Sequence, residues 1–187
     1  MLLLGRFKEI DMVKYIIYYL KKLMSADKYF TDYKINSFPE ISEKLTKWRK
    51  EGRCIVFTNG CFDLLHAGHV WYLQKAATFG EILILGLNSD SSVRKIKGAN
   101  RPILAQSDRA YLLSALEAID CVVIFEEDTP LSLIEEICPN VLVKGGDYLK
   151  EDIVGHDFVV NNGGRVEVVR LLEGKSTTGI VNSIMEK

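Results

Sequence analysis

Residues 54–77 read CIVFTNGCFDLLHAGHVWYLQKAA, and the change of pattern inside this stretch decides the fold. Cys54, Ile55, Val56 and Phe57 form a continuous apolar run, the mark of a strand buried on both faces of a parallel sheet. Asn59 and Gly60 open a turn, and from His69 onward apolar residues recur at helical spacing until Gly80, a glycine placed to cap the helix. Strand, loop and helix in that order begin a βαβ unit. The exposed N–H groups and positive dipole end of such a helix face the carboxyl edge of the sheet, where anions such as phosphate bind.

His66 and His69 are two of only three histidines in the chain, and they stand three apart at the mouth of this helix. That spacing puts both imidazoles on one side of the first turn, where they can donate to a single phosphate chain. Gly68 between them leaves room for a ligand to approach the backbone. An HxxH pair can also supply two metal ligands, but no third ligand follows at metal spacing and His156 is distant, so no protein-held metal is expected.

The rest of the chain alternates in the same way. Apolar runs at 82–87, 121–124, 141–143 and 166–169 read as four more strands, and residues 39–51, 108–118, 131–137, 157–162 and 178–185 as helices, with Trp48 facing the core. The expectation is an α/β, Rossmann-like, doubly wound parallel sheet of five strands with helices on both faces. Residues 1–24, rich in Leu, Ile and Tyr but interrupted by charges, read as an amphipathic helix, and 25–38 as a linker. This divides the chain into an N-terminal helical extension over 1–36 and a catalytic domain over 37–187.

Composition narrows the function. The chain of 187 residues can bury roughly 70% of its unfolded surface, enough for an ordinary core. A net charge of −1 offers no global basic field for nucleic acid, so phosphate recognition must be local. No stretch of 1–24 is apolar enough to span a bilayer or to act as a secretory signal. Cys54, Cys61, Cys121 and Cys138 are scattered among apolar patterns and read as reduced thiols of a cytoplasmic protein.

In such a fold the loops leaving the carboxyl ends of the strands carry function. Here those loops hold Asn88-Ser89-Asp90 followed by Arg94, Lys95, Lys97 and Arg101, then Lys144-Gly145-Gly146-Asp147-Tyr148, then Arg170 and Glu173-Gly174-Lys175-Ser176-Thr177-Thr178. Two helix N-termini, at residues 66–69 and 176–178, and several cations around one edge suit a polyphosphate. Each loop also has a plainer use: a KxK run as a solvated face, GG as a turn, the Ser/Thr cluster as an N-cap.

TNGCFDLLHAGH at 58–69 resembles the HxGH motif of the nucleotidyltransferase superfamily that includes cytidylyltransferases and phosphopantetheine adenylyltransferase, and RLLEGKSTT at 170–178 is similar to its second motif. KGANRPI at 97–103, SDRAYLLSALEAID at 107–120, FEEDTP at 125–130 and VLVKGGDY at 141–148 resemble the adenylyltransferase half of the bifunctional heptose kinase/adenylyltransferase family. The resemblance implies transfer of an adenylyl group from ATP to D-glycero-β-D-manno-heptose 1-phosphate, giving ADP-heptose and pyrophosphate for lipopolysaccharide core. A cytidylyltransferase acting on glycerol 3-phosphate, an FAD synthetase and a nucleotide-binding regulatory module are the rival readings. The kinase half has no counterpart here, so a separate sugar kinase is expected upstream, and Val181 stands where many superfamily members carry a basic residue.

Within that reading His66 and His69 donate to the α- and β-phosphate oxygens and Lys97, in a loop beside Gly98, bridges the attacking phosphate and the triphosphate. Thr58, Asn59, Gly60, Cys61, Phe62 and Gly68 line the nucleotide cleft; Lys144, Gly146 and Asp147 lie near the adenosine; Arg170, Gly174, Ser176, Thr177 and Thr178 hold the β- and γ-phosphates. Asp90 and Arg101 go to the acceptor. Asp63 can hold the turn through backbone N–H bonds, and Asp108 and Arg109 are open between ligand contact and use as an N-cap and an ion-pair partner. Mg²⁺ is expected to travel on the phosphates, and the protein is expected to be a homodimer.

Overall fold

A computed structural model describes residues 32–186. The helix expected over 1–24 lies outside the described residues. Six parallel strands make one sheet: β1 (Ile35–Asn36), β2 (Ile55–Gly60), β3 (Ile82–Asn88), β4 (Cys121–Phe125), β5 (Val141–Gly145) and β6 (Arg165–Val169), in the order β1-β4-β3-β2-β5-β6. The five expected strands are all present. β1 is a sixth, inside the stretch read as a linker; it is two residues long, pairs with β4 through Ile35↔Val122 and Asn36↔Val123, and is fastened by Asn36 donating to Cys121 Sγ at 3.2 Å. So short an edge strand has no apolar run by which to be read.

Seven helices are described: α1 (Phe38–Lys50), α2 (Ala67–Ala77), α3 (Asp90–Lys97), α4 (Gln106–Ser114), α5 (Leu131–Ile137), α6 (His156–Asn161) and α7 (Thr177–Met185). They cover both faces of the sheet. Ile41, Leu45, Leu133, Ile134 and Val159 of α1, α5 and α6 close over Phe57, Ile84 and Val123 on one face. Tyr72, Leu73, Ala110 and Leu113 of α2 and α4 close over Val56, Leu85 and Val122 on the other. Trp48 packs on the first of these clusters, as expected. Each fully buried Leu, Ile or Phe contributes about 1.5–3 kcal/mol, and the sheet interior supplies most of the drive to fold.

Two local expectations are corrected. Lys97 is not in a loop: Ser89 caps a helix by accepting from Ser92 N, Val93 anchors it in the core, and Lys97 is its last residue before Gly98, which takes φ +95°. Gly80 does not cap α2, which ends at Ala77 with Thr78 as its C-cap; a Cβ at Gly80 would meet Val56 Cγ2 at 2.6 Å and Cys54 O at 2.7 Å, so close packing requires the glycine.

The strand order reverses between β2 and β5, which is where a doubly wound sheet opens a crevice at its carboxyl edge. The register shows the opening directly. β2 pairs with β3 over six positions to Gly60↔Leu87, but with β5 only at Val56↔Val141 and Phe57↔Leu142. Beyond Phe57 the two strands part.

Candidate active site

The split between β2 and β5 is bridged at its base. Tyr72 on α2 shares a hydrogen bond of 2.6 Å with the Thr58 hydroxyl and donates to Val143 O at 3.2 Å. Burial pushes its phenol pKa upward, so the bridge is neutral at any ordinary pH. Thr58 is fully buried under this bridge. Its side chain supports the cleft floor and does not line it, a correction to the role expected for it. One step higher, Lys144 reaches across the split to Asn59 Oδ1 at 3.2 Å; burial lowers the pKa of its ammonium, with Cys61 acting in the opposite sense.

From Gly60 the chain turns sharply. Phe62 takes φ +43°, and its ring lies where a Cβ on Gly60 would stand, 2.9 Å away. The turn delivers His66 as the N-cap of α2, its carbonyl accepting from His69 N and Val70 N. The His66 and His69 rings stack with centroids 3.8 Å apart and planes 20° from parallel, and the edge of Phe62 meets His69 at 5.1 Å. Gly68 packs closely against this stack. A Cβ there would lie 3.0 Å from the His66 ring and from Lys175 Cβ.

The electrostatics follow from burial. His69 is lowered to about 4 by burial, by the charge of stacked His66 and by Lys97, with the Leu64 backbone opposing. His66 is lowered by burial and by Lys175. Both imidazoles are therefore neutral near pH 7, and each offers one N–H donor and one acceptor nitrogen. Nδ1 of each ring is buried without a hydrogen-bond partner. Such atoms are costly to leave unpaired, and an anionic ligand with its water would supply partners.

The second wall comes from the far end of the chain. Ser176 caps α7 by accepting from Gly179 N at 3.0 Å, so its hydroxyl does serve as an N-cap. His66, Gly174, Lys175, Ser176 and Gly179 line one groove of about 710 Å³ that runs along α7 past Ile180, Ser183 and Ile184. The fold thus brings the HxGH turn and the 174–178 segment together, with Thr177 half-buried and Thr178 and Arg170 exposed. Lys175 belongs to the site by this geometry. Its charge beside a phosphate-type helix start is the sequence signal for it.

Lys97 bears on His69 and Cys61, and the Cys61 thiol pKa is raised by burial against the pull of Lys97, Arg109 and Lys144. Gly146, at φ +129°, gives its N–H to Val169 O at 3.0 Å, while Asp147 is exposed beyond it. The two residues expected at the acceptor are both ion-paired within the protein. Arg101 pairs with buried Asp63 at 2.7 Å, and Asp90 pairs with buried Arg109 at 2.8 Å. Burial alone would raise the Asp63 carboxyl, but bonds from Arg101, Ile103 N and Leu104 N outweigh it and lower its pKa. Asp63 thus holds the turn, as expected, and Arg101 and Asp90 bind the protein's own loops.

Comparison with known proteins identifies the family of the chain. The family model described as cytidylyltransferase-like matches residues 57–181. The bifunctional protein HldE of Geotalea uraniireducens is 54% identical over 154 residues, covering 82% of this chain and 31% of that protein. HldE of Pelobacter propionicus is 54% identical over 157 residues, covering 84% and 32%. The chain spans about a third of the length of these curated relatives. A crystal structure titled as the lipopolysaccharide core biosynthesis protein from Thermoplasma volcanium GSS1 is 26% identical, with a TM-score of 0.54 over 66% of this chain and all of that one. Among the described residues no helix is long and apolar enough to cross a membrane. The family model begins within β2 and ends within α7, so it takes in both walls of the crevice, and by that match the chain belongs to the cytidylyltransferase-like family.

Proposed function

We propose that the protein transfers AMP from ATP to a sugar 1-phosphate, D-glycero-β-D-manno-heptose 1-phosphate, releasing pyrophosphate and forming ADP-heptose for lipopolysaccharide core. The observation that carries the reaction type is the neutral, stacked His66–His69 pair at the mouth of α2, opposite the capped start of α7. The similarity to HldE proteins supports the acceptor.

A sugar 1-phosphate is already an anion at pH 7, so its oxygen can attack the α-phosphorus without a base. What the site must supply is placement and charge stabilisation. Neutral imidazoles donate N–H bonds to the α- and β-phosphate oxygens as negative charge shifts toward the leaving pyrophosphate. Lys97, at the end of rigid α3, faces the attacking phosphate; Lys175, Ser176, Thr177 and Thr178 hold the β- and γ-phosphates. Cys61 and Phe62 shape the phosphate turn, and Lys144, Gly146 and Asp147 border the nucleoside. The crevice side chains are chiefly donors and cations, and Asp63 and Asp90 are occupied, so Mg²⁺ would be held by phosphate oxygens and water, where it neutralises charge. A kinase reaction supplies the sugar phosphate, and two copies of the chain form the working cytoplasmic enzyme.

The test is pyrophosphate release with ATP or CTP against a panel of phosphorylated acceptors. Release with ATP and heptose 1-phosphate alone is expected. A preference for CTP, or for glycerol 3-phosphate or FMN, would replace the ADP-heptose reading, and tight ATP binding with no turnover on any acceptor would favour a regulatory module.

A further inference from the structure

The side chain of Arg109 has no solvent exposure, yet it is charged. Its Nε donates to Leu104 O at 3.1 Å, Nη1 to Cys61 O at 2.6 Å and to Asn88 O at 2.9 Å, and Nη2 to Asp90 Oδ1 at 2.8 Å. These four acceptors lie on three segments: the turn after β2, the passage from β3 into α3, and the stretch leading into α4. A buried ion pair is a poor device for stability alone, since well-packed apolar side chains of similar volume often do as well or better. A planar guanidinium does something apolar packing cannot: its fork holds several acceptors at set distances and angles.

The segments so joined carry the two limbs of the proposed site. Cys61 begins the turn that delivers His66 and His69, and Asp90 begins α3, whose last residue is Lys97. Asp90 and Lys97 are separated by about 10 Å of helix, so a change in how α3 starts is passed to the Lys97 ammonium. Two further ties close the same net. Asp63 holds Arg101 and the N–H groups of Ile103 and Leu104, and Gln106 Oε1 accepts from Asp90 N at 2.8 Å.

We propose that Arg109 is a positioning residue that sets the separation between Lys97 and the His66–His69 pair, and that Asp90 serves it rather than the acceptor. The inference rests on the reading of Lys97 and the histidines given above. It touches no substrate atom. Its effect should fall on turnover, because the Lys97-to-histidine distance matters most once the attacking and leaving oxygens are aligned.

The experiment is a double-mutant cycle on the full chain, with kcat and both KM values from pyrophosphate release and a thermal melt to confirm folding at the assay temperature. Arg109→Lys keeps the charge but loses the fork; kcat should fall on the order of 10- to 100-fold with ATP KM nearly unchanged. Added to Lys97→Ala, the same substitution should cost little more, since the group it positions is gone. Asp90→Asn, which keeps an acceptor oxygen, should show the same coupling at smaller amplitude and carries the test if Arg109→Lys fails to fold. Losses that multiply across the cycle, an Arg109→Lys protein with wild-type kcat, or an Asp90→Asn protein whose only change is a higher acceptor KM would each overturn the proposal. A Lys97→Ala protein with wild-type turnover would instead overturn the Lys97 assignment on which it rests.

Discussion

The two walls of the crevice are built differently. On the β2–α2 wall Phe57, Thr58, Phe62, Asp63, Gly68, Tyr72 and Leu73 are buried, and the turn is tied down by Asp63 and Arg109. On the α7 wall no residue of the helix is buried, and Ile184 and Met185 are 66% and 80% exposed. The first wall takes its geometry from the core before any ligand arrives, whereas the second has a capped start and no fully buried residue. Preorganised donors are what transition-state stabilisation needs, and a loosely packed wall suits capture and release of a polyphosphate.

That contrast predicts where substitutions act. The largest effect belongs to the fixed wall: His66→Ala or His69→Ala should lower kcat on the order of 10²- to 10³-fold, read by pyrophosphate release, as loss of an oxyanion donor does. Turnover within a few-fold of wild type after His66→Ala would remove the histidines from the chemistry. Next comes the bridge under the cleft. Tyr72→Phe leaves the buried Thr58 hydroxyl and Val143 carbonyl without their partner, so unfolding in urea should show a loss of about 1–3 kcal/mol; no loss would mean water replaces the phenol.

Ser176→Ala probes the other wall. It removes a cap whose peptide-scale contribution is roughly 1 kcal/mol, but no residue of α7 is fully buried, so the global melting temperature should barely move while ATP KM rises several-fold. A clear fall in melting temperature would show that α7 is as much a part of the core as α2 and would end the contrast. The smallest effect is a pH slope. His69 in the folded chain gains its proton only near pH 4, against 6.5 for an ordinary histidine. Between those values the unfolded chain binds more protons, so the stability tied to neutral His69 is complete above 6.5 and is lost as pH falls through about 4. Denaturant midpoints should rise with pH across that window, and His69→Asn should flatten the slope; an unchanged slope would place the titration elsewhere.

Legibility followed burial. The five strands carrying apolar runs could be read because both faces of a parallel sheet demand such runs, and β1 could not because two paired residues leave no pattern. α3 was missed for a related reason: DSSVRKIK offers only Ser92 and Val93 to the interior, too few for a helical period. The histidine pair and the 174–178 segment were legible because spacing alone puts such groups at helix starts. The ion pairs of Asp90 and Arg101 were not legible, since the partner of each lies 19 or 38 positions away.

The chain's apolar periodicity by itself determined a parallel α/β sheet with a helix start after β2, because hydrophobic burial is written into local pattern. Only the tertiary structure decided which charges are paired within the protein, that β2 and β5 part beyond Phe57, and that His66 and His69 stack as neutral rings. Those outcomes depend on distances between residues far apart in sequence and on the loss of water around them, and neither is encoded in any one stretch.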